Sequence, residues 1–176
     1  MPEGAHQNMI ITPHALASSA VSDILTNNIF VAFLLGVIIH FILDAIPHFD
    51  QGTIRYKFDE PDRPARWGTD HSAELSASWP SWVYITVFAD IIVVILIYVL
   101  ILSKVNNFSV ILAGAFGGIS IDLIDNPLFS LYKIPVFSQL HWLHHKIHFD
   151  LPKRFWFWGI PIELIIIGGS LWFLLK

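Results

Sequence analysis

Histidines and aspartates recur at helical spacing in separate parts of the sequence. His40 and Asp44 are four residues apart in the segment HFILDAIPHFD, so both would project from one face of a helix, and His48 follows. Asp122 and Asp125 are three residues apart and would share a face in the same way. A third stripe consists of His141, His144, His145 and His148. These residue types in this pattern are typical of a metal site.

The chemistry of these side chains favours a divalent metal as their shared partner. An ionised carboxylate inside hydrocarbon costs roughly 3 kcal/mol or more at a helix centre, and it normally has a partner there. Neutral imidazole and carboxylate together suit zinc, with iron or manganese as alternatives. A lone histidine is usually only an interfacial polar residue, and a lone aspartate near a helix end is usually a cap. The joint pattern predicts metal ligands at His14, His40, Asp44, His48, Asp122, His141, His144, His145 and His148.

Composition indicates that the elements carrying these residues are not those of a soluble domain. The chain has 176 residues, of which 55% are hydrophobic and 14% charged, and its mean hydropathy is +0.61. A soluble globular domain carries about 25% charged residues. The net charge of −4 gives no basic surface for nucleic acid. The absence of cysteine excludes disulfides and thiolate metal sites. We therefore predict a single integral membrane domain over residues 1–176.

Apolar runs predict an all-α bundle of about five membrane-spanning helices. A span needs about 20 apolar residues, with roughly 17 as the lower limit. The four clearer spans are Ile29 to Ile46, Trp82 to Leu102, Phe108 to Ile124 and Phe155 to Leu175. The segment Ile10 to Leu25 is short and rich in alanine and serine, so we predict a short first span, with a re-entrant helix as the fallback.

The distribution of basic residues orients this bundle. With five spans, the N-terminus and both long loops, 47–81 and 126–154, lie on the same side. Eight of the ten lysines and arginines fall on that side, and only Lys104 and Lys176 fall on the other. The positive-inside rule places the loops in the cytoplasm of a multi-pass protein of the inner membrane. The predicted ligands then lie near that face, and the stretch from Leu128 to Asp150 is expected to be interfacial, with Trp142 against the bilayer.

Two motifs resemble those of known hydrolases. The segment from His40 to His48 is similar to the His-Phe/Tyr-x-x-Asp…Pro-x-His signature of zinc-dependent phospholipases C, although here His48 follows Pro47 directly. That resemblance implies His40 and Asp44 as zinc ligands, with His48 as a possible third. Over more of the chain, TPHALASSA and the helix ending HFILDAIPHFD resemble the bacterial membrane-bound metal-dependent hydrolases, which implies His14 and Asp122 as further candidates.

A third motif supports a competing interpretation. The segment from His141 to His145 fits the HxxHH box of membrane di-iron hydroxylases and desaturases. Those enzymes carry three such boxes, whereas only one complete box is present in this sequence. The carboxylates of Asp44 and Asp122 also suit a hydrolytic site better than an all-histidine site. A non-enzymatic metal-binding membrane protein is a further alternative.

The favoured function is a metal-dependent hydrolase that acts at the cytoplasmic interface on a phosphoester or lipid headgroup bond. A bound metal lowers the pKa of its water to about 7, and Asp50 or Asp125 is the predicted general base. The expected partners are the bilayer and a lipid substrate, because the site is at headgroup depth. Asp90 and Glu163, which interrupt apolar runs, are expected to hydrogen-bond within the bundle.

Overall fold

The computed structural model describes residues 10–48, 66–67, 81–125, 131, 134–150 and 153–176. Within these residues the architecture is all-α, as predicted, with six helices. They are α1 (Ile11–Leu25), α2 (Ile29–Asp44), α3 (Ser81–Leu102), α4 (Phe108–Asp125), α5 (Pro135–Ile147) and α6 (Gly159–Leu175). A 3-10 helix (Lys153–Trp158) precedes α6. Two short strands, β1 (Arg66–Trp67) and β2 (Phe149–Asp150), pair antiparallel and connect the two long loops.

Local chemistry sets several helix ends. The predicted turn between α1 and α2 is present, and the Asn28 side chain accepts hydrogen bonds from the Phe30 and Val31 amides at 2.9 and 3.2 Å. Helix α2 ends at Asp44 rather than at the predicted Ile46, because Pro47 disfavours helical geometry in the residue before it. The α-helical part of the last predicted span begins at Gly159, after the 3-10 turn, and not at Phe155.

Helix α1 lies at the centre of the bundle and packs against α2, α3, α4 and α6. Its serine hydroxyls donate hydrogen bonds to backbone carbonyls of its neighbours. Ser18 donates to Gly36 at 3.3 Å and Ser22 donates to Ala32 at 3.1 Å, both in α2. Ser19 donates to Ile111 of α4 at 2.8 Å. The buried serine hydroxyls of this short helix are therefore satisfied by the helices around it.

Glycines permit this close packing. A Cβ atom built on Gly36 would lie 2.8 Å from the backbone nitrogen of Gly118. A Cβ on Gly118 would lie 2.7 Å from the carbonyl oxygen of His14. Real Cβ atoms do not approach backbone this closely, so α1, α2 and α4 touch through glycine. Helix α4 therefore packs closely against α1 and α2 through its glycines.

Contacts along the helices define their directions. Ser18 faces Gly36 while Ser22 faces Ala32, so α1 and α2 are antiparallel. Ile11 is bonded to Asp90 while Ala15 is bonded to Tyr98, so α1 and α3 are parallel. The start of α1 and the end of α2 consequently lie at the same end of the bundle.

The outer faces of the helices are apolar. On α3, Ile85, Phe88 and Leu100 are exposed, and on α6 Ile165 and Trp172 are exposed. Within the described residues, α3 is the one helix long and apolar enough to cross a membrane, through Ile85–Leu102 with a mean hydropathy of 3.0. Helices α2, α4 and α6 are apolar but shorter. A bundle of about five spanning helices stays a prediction.

Candidate metal centre

The last turn of α2 carries two fully buried groups that face each other. His40 Nε2 lies 3.1 Å from Asp44 Oδ2, as expected for residues four apart on one helix. His40 Nδ1 lies 2.7 Å from the carbonyl oxygen of Gly118. A carbonyl only accepts, so Nδ1 carries the proton of the neutral ring and Nε2 presents a lone pair. Two electron-rich atoms 3.1 Å apart in a dry site need a cation or a proton between them.

Asp44 is the centre of the site. Its Oδ2 atom lies 2.8 Å from His144 Nε2 of α5 as well as close to His40, while its Oδ1 atom lies 3.8 Å from His14 Nε2 of α1. Both carboxylate oxygens are buried, and imidazole nitrogens of His40 and His144 lie within 3.1 Å of Oδ2. Burying a carboxylate is costly unless a cation or hydrogen-bond donors compensate its charge. The arrangement therefore fits a metal-binding carboxylate whose two oxygens face different imidazoles.

A second pair of imidazoles lies beside Asp44. His48 Nε2 is 3.1 Å from His148 Nε2, and both rings are buried. His48 Nδ1 lies 2.7 Å from the carbonyl oxygen of Ile46, which again assigns the proton to Nδ1 and a lone pair to Nε2. Two nitrogen ligands of one tetrahedral zinc ion are about 3.3 Å apart, as Zn–N bonds of 2.0–2.1 Å require. The spacing of this pair fits a shared ion.

Asp122 of α4 lies on the more open side of the site. Its Oδ1 atom is 3.9 Å from His40 Nε2, and its side chain is 17% exposed whereas Asp44 is fully buried. Of these groups, Asp122 is thus the one that water can reach most easily.

Three overlapping sets of ligand atoms, each within 4.8 Å of one another, can be drawn from these side chains. They are His14 with His40 and Asp44, His40 with Asp122 and His144, and Asp44 with His48 and His148. These buried histidine and aspartate groups could hold a metal ion, and the ion's identity stays a prediction.

The other predicted site residues have different positions. His141 lies one turn before His144 on α5 and belongs to none of the three sets drawn from the described residues. His145 and Asp125 lie within α5 and α4, but their side chains are outside the described part of the chain. Asp50 lies outside the described residues altogether. The predicted catalytic roles of Asp50 and Asp125 therefore stay predictions.

Sequence reasoning did not identify the role of Asp90. It was expected to hydrogen-bond somewhere in the bundle, and it does so at one specific place, the start of α1. The available signal was an acid in an apolar helix together with a first helix that has no side-chain cap of its own. Glu163 of α6 is buried, and its hydrogen bond within the bundle stays a prediction.

Fold and site together define an α-helical chain with a mixed histidine and aspartate centre at one end of its bundle. No protein-family model, curated protein or solved structure matches this chain. The resemblances to metal-dependent hydrolases therefore stay predictions.

Proposed function

We propose that the chain is a multi-pass membrane protein and a metal-dependent hydrolase whose centre lies at the cytoplasmic interface. The observation that carries this proposal is the burial of Asp44 among imidazoles from its own helix, α2, and from α1 and α5. A bound cation would neutralise this buried acid and hold the imidazoles around it.

The number of donors supports a centre of two ions. Zinc takes four ligands, and a catalytic zinc ion takes about three from the protein. Seven side chains contribute to the three sets, which is more than one ion can use. Asp44 belongs to two of the sets, one with His14 and His40 and one with His48 and His148, so it would help to hold both ions. Zinc is the favoured ion because the donors are imidazole and carboxylate without thiolate.

The surface of the chain supports a location in the membrane. Apolar side chains cover the outside of α3 and α6, and basic residues are concentrated on the side of the long loops. On α5, Trp142 is exposed with Lys146 Nζ 4.1 Å from its ring centre, while His144 of the same helix is buried. This division fits a helix that lies in the headgroup layer and turns its histidines inward. A phosphoester or headgroup bond of a lipid is then the accessible substrate.

The proposed reaction is hydrolysis, in which water attacks the bond and a side chain accepts its proton. A metal ion in such a centre acidifies a bound water and polarises the phosphoryl or carbonyl oxygen. Asp122 lies on the accessible side, where substrate and water would enter. His40 and His48 are held by the carbonyls of Gly118 and Ile46, which fixes their tautomers for ligation. The general base is proposed to be Asp50 or Asp125.

An assay of lipid hydrolysis with and without bound metal tests this function. The full chain would be reconstituted in vesicles of phosphatidylethanolamine and phosphatidylglycerol, stripped with a chelator and then resupplied with zinc. We expect headgroup or phosphate release that stops on chelation and returns with zinc. Iron in the purified protein, with no hydrolysis, would instead favour the oxygenase interpretation. Hydrolysis that is insensitive to chelation would contradict the proposal.

A matched pair on α5 tests which histidines bind the metal. We expect His144→Ala to lower the zinc affinity by at least about 10-fold, because His144 Nε2 lies 2.8 Å from Asp44. His141→Ala, one turn earlier, should retain the zinc content of the wild type, since His141 belongs to none of the ligand sets. Elemental analysis and zinc titration would measure both. Equal losses in the two variants would show that α5 itself, rather than His144, governs binding.

A further inference from the structure

Helix α1 begins without a cap from its own sequence. Its N-cap residue, Ile10, makes no side-chain cap hydrogen bond, and the first turn contains no acidic residue. The first backbone amides of a helix have no partner within the helix, so they need an external acceptor when they are removed from water.

Asp90 of α3 supplies that acceptor from 79 residues away in the chain. Its Oδ2 atom accepts hydrogen bonds from the amide of Ile11 at 2.5 Å and from the amide of Thr12 at 3.3 Å. The Thr12 hydroxyl donates to the other oxygen, Oδ1. A carboxylate in this position also faces the positive end of the α1 dipole. Asp90 thus fixes the residue at which α1 starts and the position of α1 along α3.

The first turn of α1 carries His14, two residues beyond Thr12. His14 is buried and its Nε2 atom lies 3.8 Å from Asp44 Oδ1. Its backbone is confined on another side, because its carbonyl oxygen lies against Gly118 so closely that a Cβ there would come within 2.7 Å. Pro13, between Thr12 and His14, restricts the backbone further. The backbone between the Asp90 contacts and the His14 imidazole therefore has little freedom to move.

We infer that Asp90 is a positioning residue for the metal centre, which it controls through His14 by capping α1 from outside the site. The inference rests on the proposed metal centre, but it assigns a role to a residue that is not in any ligand set. Loss of the cap would let the first turn fray, and His14 would move out of reach of Asp44.

Zinc affinity of the detergent-solubilised full chain tests this role. We expect Asp90→Ala to weaken zinc binding about 10-fold, as loss of an outer partner typically does. Asp90→Asn should retain most of the affinity, because its amide oxygen still accepts from the α1 amides. In the His14→Ala background, Asp90→Ala should have no further effect, since the residue through which it acts is gone. X-ray absorption should report one imidazole fewer at zinc in Asp90→Ala, as in His14→Ala.

Tyr98→Phe is the matched control for packing between α1 and α3. The Tyr98 hydroxyl donates to the Ala15 carbonyl at 3.0 Å, so this change removes another α1–α3 hydrogen bond beyond the first turn. It should leave zinc affinity unchanged. Equal weakening by Tyr98→Phe, or weakening by Asp90→Ala in the His14→Ala background, would overturn the positioning role. If the wild type binds zinc and Asp90→Ala binds it equally well, the positioning role alone fails. If the wild type binds no zinc, both the proposed metal centre and the positioning role are wrong.

Discussion

Asp44→Asn is expected to abolish metal binding while the bundle remains folded. The change keeps the shape of the side chain but removes the negative charge of the carboxylate. The two oxygens of that carboxylate face His14, His40 and His144. We expect zinc affinity to fall by more than about 100-fold, beyond the 10–100-fold that loss of an outer partner typically costs. Zinc at 100 times its dissociation constant stabilises a protein by about 2.7 kcal/mol. That shift should appear for the wild type in thermal unfolding and vanish for Asp44→Asn.

Asp23→Asn is the control for this experiment. Asp23 is also an aspartate on a packed helix, but it lies near the end of α1, away from the site. Its replacement should leave both zinc content and the zinc-dependent shift unchanged. Retention of zinc by Asp44→Asn would remove Asp44 from the centre and with it the case for a bridging carboxylate.

Gly36→Ala is expected to destabilise the bundle strongly although it adds a single methyl group. The new Cβ would lie 2.8 Å from the nitrogen of Gly118 and 3.0 Å from the carbonyl carbon of Gly117, and neither backbone atom can rotate away. Forcing atoms into a packed interface typically costs about 1–3 kcal/mol. His40 follows Gly36 by one turn, so we also expect weaker zinc binding. Unfolding of the purified protein in mixed detergent micelles would measure the loss of stability.

Gly168→Ala in α6 provides the matched comparison, because a Cβ there would meet nothing within 4 Å. Alanine favours the helical state over glycine by up to about 1 kcal/mol, so this variant should be as stable as the wild type or slightly more stable. Equal destabilisation by the two substitutions would indicate a general intolerance of glycine replacement. It would contradict a specific contact between α2 and α4.

The sequence was most informative where patterns are local. The apolar runs predicted the helices closely, because hydropathy acts within a few residues. The spacing of His40 and Asp44 predicted their 3.1 Å approach for the same reason. Antiparallel hairpins then brought the start of the first helix to the end of the second, which gathered His14 with these two residues.

Long-range contacts could not be predicted from the pattern. The sequence predicted His48 and His148 in one site, but spacing does not indicate that these residues, 100 apart in the chain, pair with each other. The pairing of Arg66 with Asp150 joins two loops that have no strand signal. The stripe on the last loop also divides in a way that spacing does not reveal, since His144 and His148 enter the ligand sets and His141 does not. The packing of α5 against the bundle determines which of these histidines face the site. The thirteen-residue sequence of α5 does not by itself specify that packing.

The central position of α1 has a consequence for biosynthesis. Its serine hydroxyls donate to acceptors on α2 and α4, at Gly36, Ala32 and Ile111, which emerge from the ribosome later than α1 does. Alone in lipid, this helix would expose its serines and His14 to hydrocarbon, which supplies no acceptors. For a bundle built in a bilayer, we therefore expect the translocon to release α1 only together with α2. Helix α1, although made before α2, would then leave the insertion machinery no earlier than α2 does.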